Sequence, residues 1–441
     1  MSYRRKKLLA LFCATALSMT AVAGCTGTKS STGNVVSSET ETNAEETSAQ
    51  SEAGTFSSAD MFTERDLAGT YEESGAVYVT LSDDGITGET DGVVIKGQTV
   101  TITAEGTYIF SGTLSEGQIV VDADNAKVQI VFDNVDITCA SSAAVYVKSA
   151  EKVFVTLAEG SQNTLRNTDE YVAIDDNNID AVIFAKSDLT LNGTGSLTIV
   201  SAEGHGIVSK DDLKITGGTY DITAAGHALS GKDSVRIADG TYTLATGDDG
   251  VHADDALIVN GGTITVTESY EGLEGLAVTI NDGTIDITAS DDGINTAGEK
   301  MELNGGYIHI LAGGDGLDSN GDLTINGGEI YIDGPSDNGN SAIDYGDRSS
   351  AYVNGGTLVA IGSSGMAEVM SDSSKQKVLM VKLGEQMEAG NVVLTDSEGN
   401  VIVSYTALKT YDCVIISTAE VESGATYTLT TSGTTTEVTA E

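Results

Sequence analysis

The chain has no tryptophan, a single proline, and only 22 Lys and Arg against 66 Asp and Glu among its 441 residues. Scarce base at a formal charge of −44 argues against a nucleic-acid partner, because such surfaces need a basic patch that releases phosphate counterions. The natural partners of so acidic a chain are cations, or neutral ligands held through cations. Four cysteines, two of them near the N-terminus, make no disulfide framework; Cys139 and Cys413 are the two distant thiols left after processing. The apolar run LLALFCATAL is short for a membrane span. Glycine is abundant, at 52 residues, and with the many Thr and Val it predicts turns and strands rather than packed helices.

The N-terminus reads as a targeting segment. Arg4, Arg5, Lys6 and Lys7 precede the apolar run, and Val22-Ala23-Gly24-Cys25 resembles the lipobox of bacterial lipoproteins. That resemblance implies a signal peptide over 1–24 and a lipid on Cys25. The protein would then be extracellular, anchored to the bacterial cell envelope by its chains alone. Residues 25–58, rich in Ser, Thr and Glu, read as a solvated tether.

An internal repeat dictates the fold class. The second glycine of a Gly-Gly-like pair recurs at Gly218, Gly240, Gly262, Gly283, Gly306, Gly328 and Gly356, 21–23 residues apart except for a last step of 28. Each pair is followed by a second punctuation: GHG, GHA, DDG, YEG, DDG, GDG and NSA. Between these marks the residues alternate with period 2 and show no helical period. A 22-residue unit of three short strands is one turn of a parallel β-helix, which buries its apolar face only by stacking. Tyr220, Tyr242, Ile264, Ile285, Ile308 and Ile330 form one inward column; Ile215, Ile237, Val259, Ile280, Leu303 and Ile325 form another. Leucine-rich repeats lack support, having no Leu scaffold or helical period here, and the nine-residue calcium roll has the wrong period. The expected class is all-β: a single-stranded parallel β-helix of about 22-residue turns within 59–362, then a small antiparallel β domain over 363–441. The segment 62–81 is expected to cap the free end of the stack.

Stacking converts resemblance between units into columns of side chains. Asn260, Asn281, Asn304, Asn326 and Asn354 form a ladder expected to satisfy backbone groups. A second column reads His205, His227, Asp249, Glu271, Asp292, Asp315 and Ser341; three residues on, another reads Val208, Ser230, His252, Glu274, Asn295, Asp318 and Asp344. Aligned carboxylates about 4.8 Å apart repel by about 1 kcal/mol per pair in water and by more near a protein surface. Two on adjacent turns can share one Ca²⁺, whose oxygen ligands stand at about 2.3–2.6 Å. Asp249, Glu271, Glu274, Asp292, Asp315 and Asp318 are therefore the candidate calcium ligands, against a plainer reading as a hydrated acidic edge. His205 and His227 read as corner filling, with a small metal site as the alternative. Lys148, Lys186, Lys210 and Lys232 share a third column; Lys186, Lys210 and Lys232 are candidates for holding an acidic sugar, unless the nearby Asp188, Asp212 and Asp233 make this a salt-bridge ladder. Outward Tyr307 and Tyr331, with His309 between them and Tyr345 and Tyr352 nearby, are candidates for stacking on sugar rings. No nucleophile constellation is visible. A calcium-dependent lyase would need a base, and Arg236 and the lysines are the candidates.

GTYIFSGTLSEGQIVVDA (106–123), VFDNVDIT (131–138), AAVYVKSAEKVFVTLAEGSQNTL (143–165) and the SKDDLKITGGTYDITA unit (209–224) resemble a family of bacterial cell-surface carbohydrate-binding proteins. The similarity runs from about residue 60 to the end. It implies a right-handed parallel β-helix like that of pectate lyases, bound Ca²⁺, and binding of plant polysaccharides, including cellulose and acidic pectin-like sugars. It carries calcium to the DDG-type corners alone and assigns no catalytic residue; the GHG and GHA turns, lacking acid, are expected to lack metal. Three functions remain open at this point: a tethered glycan-binding protein, a calcium-dependent polysaccharide lyase, and a surface stalk.

Overall fold

The computed structural model describes residues 61–88, 91–346 and 348–440; the targeting segment, Cys25 and the tether lie outside them. Three short strands alternate with corners in each repeat, because apolar residues at every second position give each strand one buried face. The strands stack in parallel into a solenoid of about 11 turns averaging about 23 residues. Sheet I follows the acidic corner (for example Leu317–Ser319), sheet II leads to the glycine pair (Leu323–Ile325), and sheet III follows it (Glu329–Asp333). Two strands, Val251–Val259 and Leu273–Ile280, run from sheet I into sheet II without a break.

Both inward columns form as the repeat predicts. Tyr220, Tyr242, Ile264, Ile285, Ile308 and Ile330 are consecutive register partners on sheet III, and Ile215 to Ile325 are on sheet II. All are buried in one continuous core. Each such side chain contributes about 1.5–3 kcal/mol by leaving water. Tyr220 and Tyr242 stack inside it at 5.2 Å, and their hydroxyls donate to Gly217 and Asp239 carbonyls, so neither hydroxyl is stranded.

The two glycine signals have different causes. The second glycine of each pair has φ between +85° and +128°, a left-handed corner that favours glycine. The glycine of the acidic corner does not. At Gly293 an added Cβ would lie 2.3 Å from Ile310 Cγ2 and 2.5 Å from the Gly316 carbonyl, so close packing, not backbone freedom, requires it.

The N-terminal segment caps the free end in part, through strand Val77–Leu81, but its helix does not lie there. Helix α1 (Glu64–Ala68) lies across the outer side of sheet II instead. Its fully buried Asp66 meets Lys152 Nζ at 2.6 Å and accepts from Thr190 Oγ1 at 2.7 Å, while the Asp66 carbonyl accepts from Asn192 and Thr216. Strand Val77–Leu81 is itself a parallel rung against Gly106–Leu114. At the other end, Tyr411–Ser417 pairs antiparallel with the last rung, Thr357–Gly362, and carries Leu379–Met387 on its far edge. A separate four-stranded antiparallel sheet from the same C-terminal region shares a second core with Val359 and Ile361.

Candidate functional site

The acidic file forms on the outer side of sheet I. Backbone N–H groups of Gly250, Gly272, Gly293 and Gly316 donate to the carbonyls of Glu271, Asp292, Asp315 and Ser341, which fixes one corner residue above the next. The column three residues on is likewise in register: Val208, Ser230, His252, Glu274, Asn295, Asp318, Asp344. In the early turns this outward column is apolar, Tyr146, Phe184 and Val208, and Ile179 and Tyr171 from the 168–180 excursion cover it. Beyond that cover it turns acidic.

The corner side chains have a local task that the sequence did not suggest. His205 Nδ1 accepts from the His227 N–H at 2.9 Å, and Asp292 Oδ1 accepts from the Asp315 N–H at 2.7 Å. Asp315 in turn accepts from the Ser341 N–H. Each bond ties a corner to the turn above. This is a structural role for the histidines, whose rings stack in a pile: His205 to His227 at 4.7 Å and His227 to His252 at 4.5 Å.

Six predicted calcium ligands fall into two groups, Asp249–Glu271–Glu274 and Asp292–Asp315–Asp318, with ligand oxygens within 4.8 Å of one another in each. In the second group burial, with mutual repulsion, pushes the carboxyls up: Asp292 and Asp318 to about 6 and Asp315 to about 7. Next to Asp318 in register stands Asn295, whose Oδ1 is buried without a hydrogen-bond partner. Three hard carboxylate oxygens within 4.8 Å of one another and short of positive charge fit Ca²⁺, and the unpartnered amide oxygen stands in the neighbouring register position. In the first group burial would keep His252 neutral, but Asp249 and Glu274 raise it to about 10. Asp249 is held well below the usual carboxylate range; its burial is outweighed by the bonds from His227 and His252. Burial and the neighbouring acids raise Glu271 to about 8.

The lysines share a corner at the exit of sheet I. The N–H groups of Lys186 and Lys210 donate to Val147 and Ala185, and that of Lys232 to Ser209. Their partners differ from the salt-bridge ladder expected. Lys148 pairs with Asp122 at 2.7 Å, Lys232 approaches Asp254 at 3.8 Å, and Lys210 lies over the Phe184 ring. Asp212 instead serves Lys214 and Arg236 on sheet II. Arg236 therefore stands on a different face from the acidic file, among Asp211, Asp212, Asp233 and Asp255.

Tyr307 and Tyr331 come together on sheet III, ring centroids 5.7 Å apart, but in different roles. Tyr307 is 42% exposed and borders a shallow, widely open groove lined also by Gly262, Gly283, Gly306, Gly328, Asp282 and Glu329. Tyr331 stacks behind it on Tyr405 of the C-terminal region at 5.3 Å, and the Tyr405 hydroxyl is fixed by Asp333 Oδ2 at 2.6 Å. Tyr405 and Asp333 escaped the sequence reading because no repeat links them. His309 is held by Asp286 at 2.9 Å. Tyr345 and Tyr352 lie on sheets I and II and do not join this surface. The asparagines do form a ladder, but each Nδ2 donates to the Oδ1 of the turn before, at 2.7–2.9 Å, rather than to backbone.

These stacked turns place the chain in the class of parallel β-solenoid proteins. A family model described as carbohydrate-binding domain-containing protein matches residues 96–267 and 246–425, and the chain belongs to that family. A protein of the same description from Acetivibrio thermocellus is 43% identical over 131 residues, 29% of this chain. The match covers 46% of that relative's length. A solved structure described as a polysaccharide lyase-like protein from C. thermocellum, a gadolinium derivative, aligns with a TM-score of 0.46 at 27% identity, over 63% of this chain and 99% of the other.

Proposed function

We propose that this is an extracellular lipoprotein, anchored through Cys25, that binds plant cell-wall polysaccharide along a calcium-stabilised solenoid. Carbohydrate binding follows from the family; the anchor, the cation and the choice of glycan are our reading. The observation that carries it is Tyr307, an exposed ring braced from behind by Tyr331 and Tyr405 and open to a groove. Such a face takes the apolar C–H side of a sugar with little ordering cost, because the buttress already holds it. The groove carboxylates Asp282 and Glu329 would accept from sugar hydroxyls. Lys186, Lys210 and Lys232 would engage carboxylates of acidic sugars.

Asp292, Asp315 and Asp318 would hold the calcium, which when bound supplies the positive charge this corner lacks. A lyase would also need a base beside the cation. Arg236 is on sheet II, and among the described residues no lysine lies within 4 Å of those three acids. Binding is thus the better-supported activity.

The test is a pull-down of the full chain on insoluble polygalacturonate and on cellulose, each with Ca²⁺ and with a chelator, the supernatant being read for unsaturated uronide. Retention without product, weakened by Tyr307→Ala, supports the reading. Release of unsaturated product would make the protein a lyase, and no retention on either glycan would refute the binding site.

A further inference from the structure

The two acidic groups differ in what already occupies their oxygens. In the Asp292 group, Asp292 and Asp315 each accept from a backbone N–H, neither has a side-chain partner, and one oxygen from each, with one from Asp318, lies within 4.8 Å of the others. In the Asp249 group every acid has a side-chain partner. His252 Nδ1 lies 3.1 Å from Asp249 Oδ2 and touches Glu274 Oε2, while its Nε2 lies 3.2 Å from Asp254 Oδ1. His227 Nδ1 lies 3.1 Å from the same Asp249 oxygen, and Asn295 Nδ2 donates to Glu271 at 3.0 Å. The His252 ring, stacked 14° from parallel on His227, is held in that position.

We propose that His252 stands where a cation would and closes the Asp249–Glu271–Glu274 group to metal, so that the file binds its divalent cation at Asp292–Asp315–Asp318 alone. The inference rests on the calcium reading of the file. An ion entering the first group would have to push the imidazole off two carboxylates and break the Glu271–Asn295 bond. His227, Asp249 and His252 also bring one ligand atom each within 4.8 Å, but both imidazoles already lie on the Asp249 oxygen, and their ring planes suit a shared ion poorly. Imidazole binds a metal in its ring plane at about 2.0–2.1 Å, and nearly parallel rings 4.5 Å apart do not share such a point. His252 also occupies the register position that holds Glu274, Asn295, Asp318 and Asp344 in later turns. The residue at this one position of the column therefore sets where the cation goes.

The experiment counts calcium bound per full chain after chelator stripping, by equilibrium dialysis with metal analysis, in four proteins. Relative to wild type, Asp318→Asn is expected to lose one ion, Glu274→Gln to lose none, and His252→Asp to gain one. Circular dichroism and gel filtration check that each variant is folded, and Glu274→Gln tests the inference even where His252→Asp does not fold. Loss of an ion in Glu274→Gln overturns the inference and leaves the calcium reading intact, as does a folded His252→Asp with an unchanged count. An unchanged count in Asp318→Asn overturns the calcium reading of the file, and the inference with it.

Discussion

Asp66 fastens the N-terminal segment to the side of the solenoid, and its removal should free that segment without melting the stack. Burial alone would raise its carboxyl, but Lys152, Thr190 and Thr63 together bring it down to about 2 from 3.8. A displacement of that size corresponds to about 2.5 kcal/mol of stability at neutral pH. Because the folded value is depressed, the contribution is complete above the unfolded value near pH 4 and fades as pH falls towards 2. Asp66→Asn keeps the shape but leaves the Lys152 ammonium buried without its counter-charge; breaking a buried pair in this way costs about 3–5 kcal/mol. The cost is local, since helix α1 touches the solenoid chiefly through strand Asp188–Gly193. Hydrogen exchange at pH 7 should therefore accelerate at Leu67 and its neighbours by about 150-fold or more, with the inner rungs unchanged. Asp66→Asn combined with Lys152→Met should recover part of the loss, because no charge then remains to be desolvated. Unchanged exchange in Asp66→Asn, or release of the wild-type segment at a pH well above 4, would refute the assignment.

Asn304→Ala interrupts the amide ladder on both sides, freeing a half-buried Asn281 acceptor and an exposed Asn326 donor to water; it should lower stability by about 0.5–1.5 kcal/mol in thermal melts. Gly293→Ala forces a Cβ against the Gly316 carbonyl and Ile310, and should cost about 1–3 kcal/mol by the same measurement although its φ is ordinary. Tyr307→Ala should abolish retention on the preferred glycan, whereas Tyr405→Phe, which keeps the ring and loses only the Asp333 bond, should weaken it less. In chelator, Asp292, Asp315 and Asp318 have folded values raised to about 6–7, so the native state holds their protons longer than the unfolded chain does. That stability is present at pH 4 and lost as pH rises through 6–7. Added calcium should therefore raise the melting temperature more at pH 8 than at pH 5, and at a hundredfold excess over Kd it is worth about 2.7 kcal/mol.

The solenoid was legible in the sequence because its core is one-dimensional. Ile264 above Ile285 and Leu303 above Ile325 are fixed by the repeat length alone, and a 22-residue step lands each on its neighbour. The acidic groups were legible for the same reason, since register makes Asp292 and Asp315 vertical neighbours whatever their rotamers. What escaped the sequence depends on contacts that no period reports. Asp66 reaches Thr190 across 124 residues, and Tyr405 meets Asp333 across 72. A local signal for the first did exist, because Thr63 and Asp66 at a three-residue spacing form a capping box. No comparable signal marked Tyr405.

The outward column of sheet I explains why a repeat predicts position better than role. The same column carries Tyr146, Phe184 and Val208 in early turns, then Ser230 and His252, then Glu274, Asn295, Asp318 and Asp344. Backbone geometry is alike throughout, so the change must follow from what lies over the column. Where the 168–180 excursion covers it, apolar side chains are buried and stabilise. Where that cover ends, an apolar side chain would face water, and polar groups replace it. Acids there repel one another unless something positive sits between them. His252 meets that requirement from within the chain at the first acidic turn, and by the reading argued above calcium meets it at the later ones. The sequence of that column is thus a record of its covering: protein first, then an internal imidazole, then, on the calcium reading, an ion.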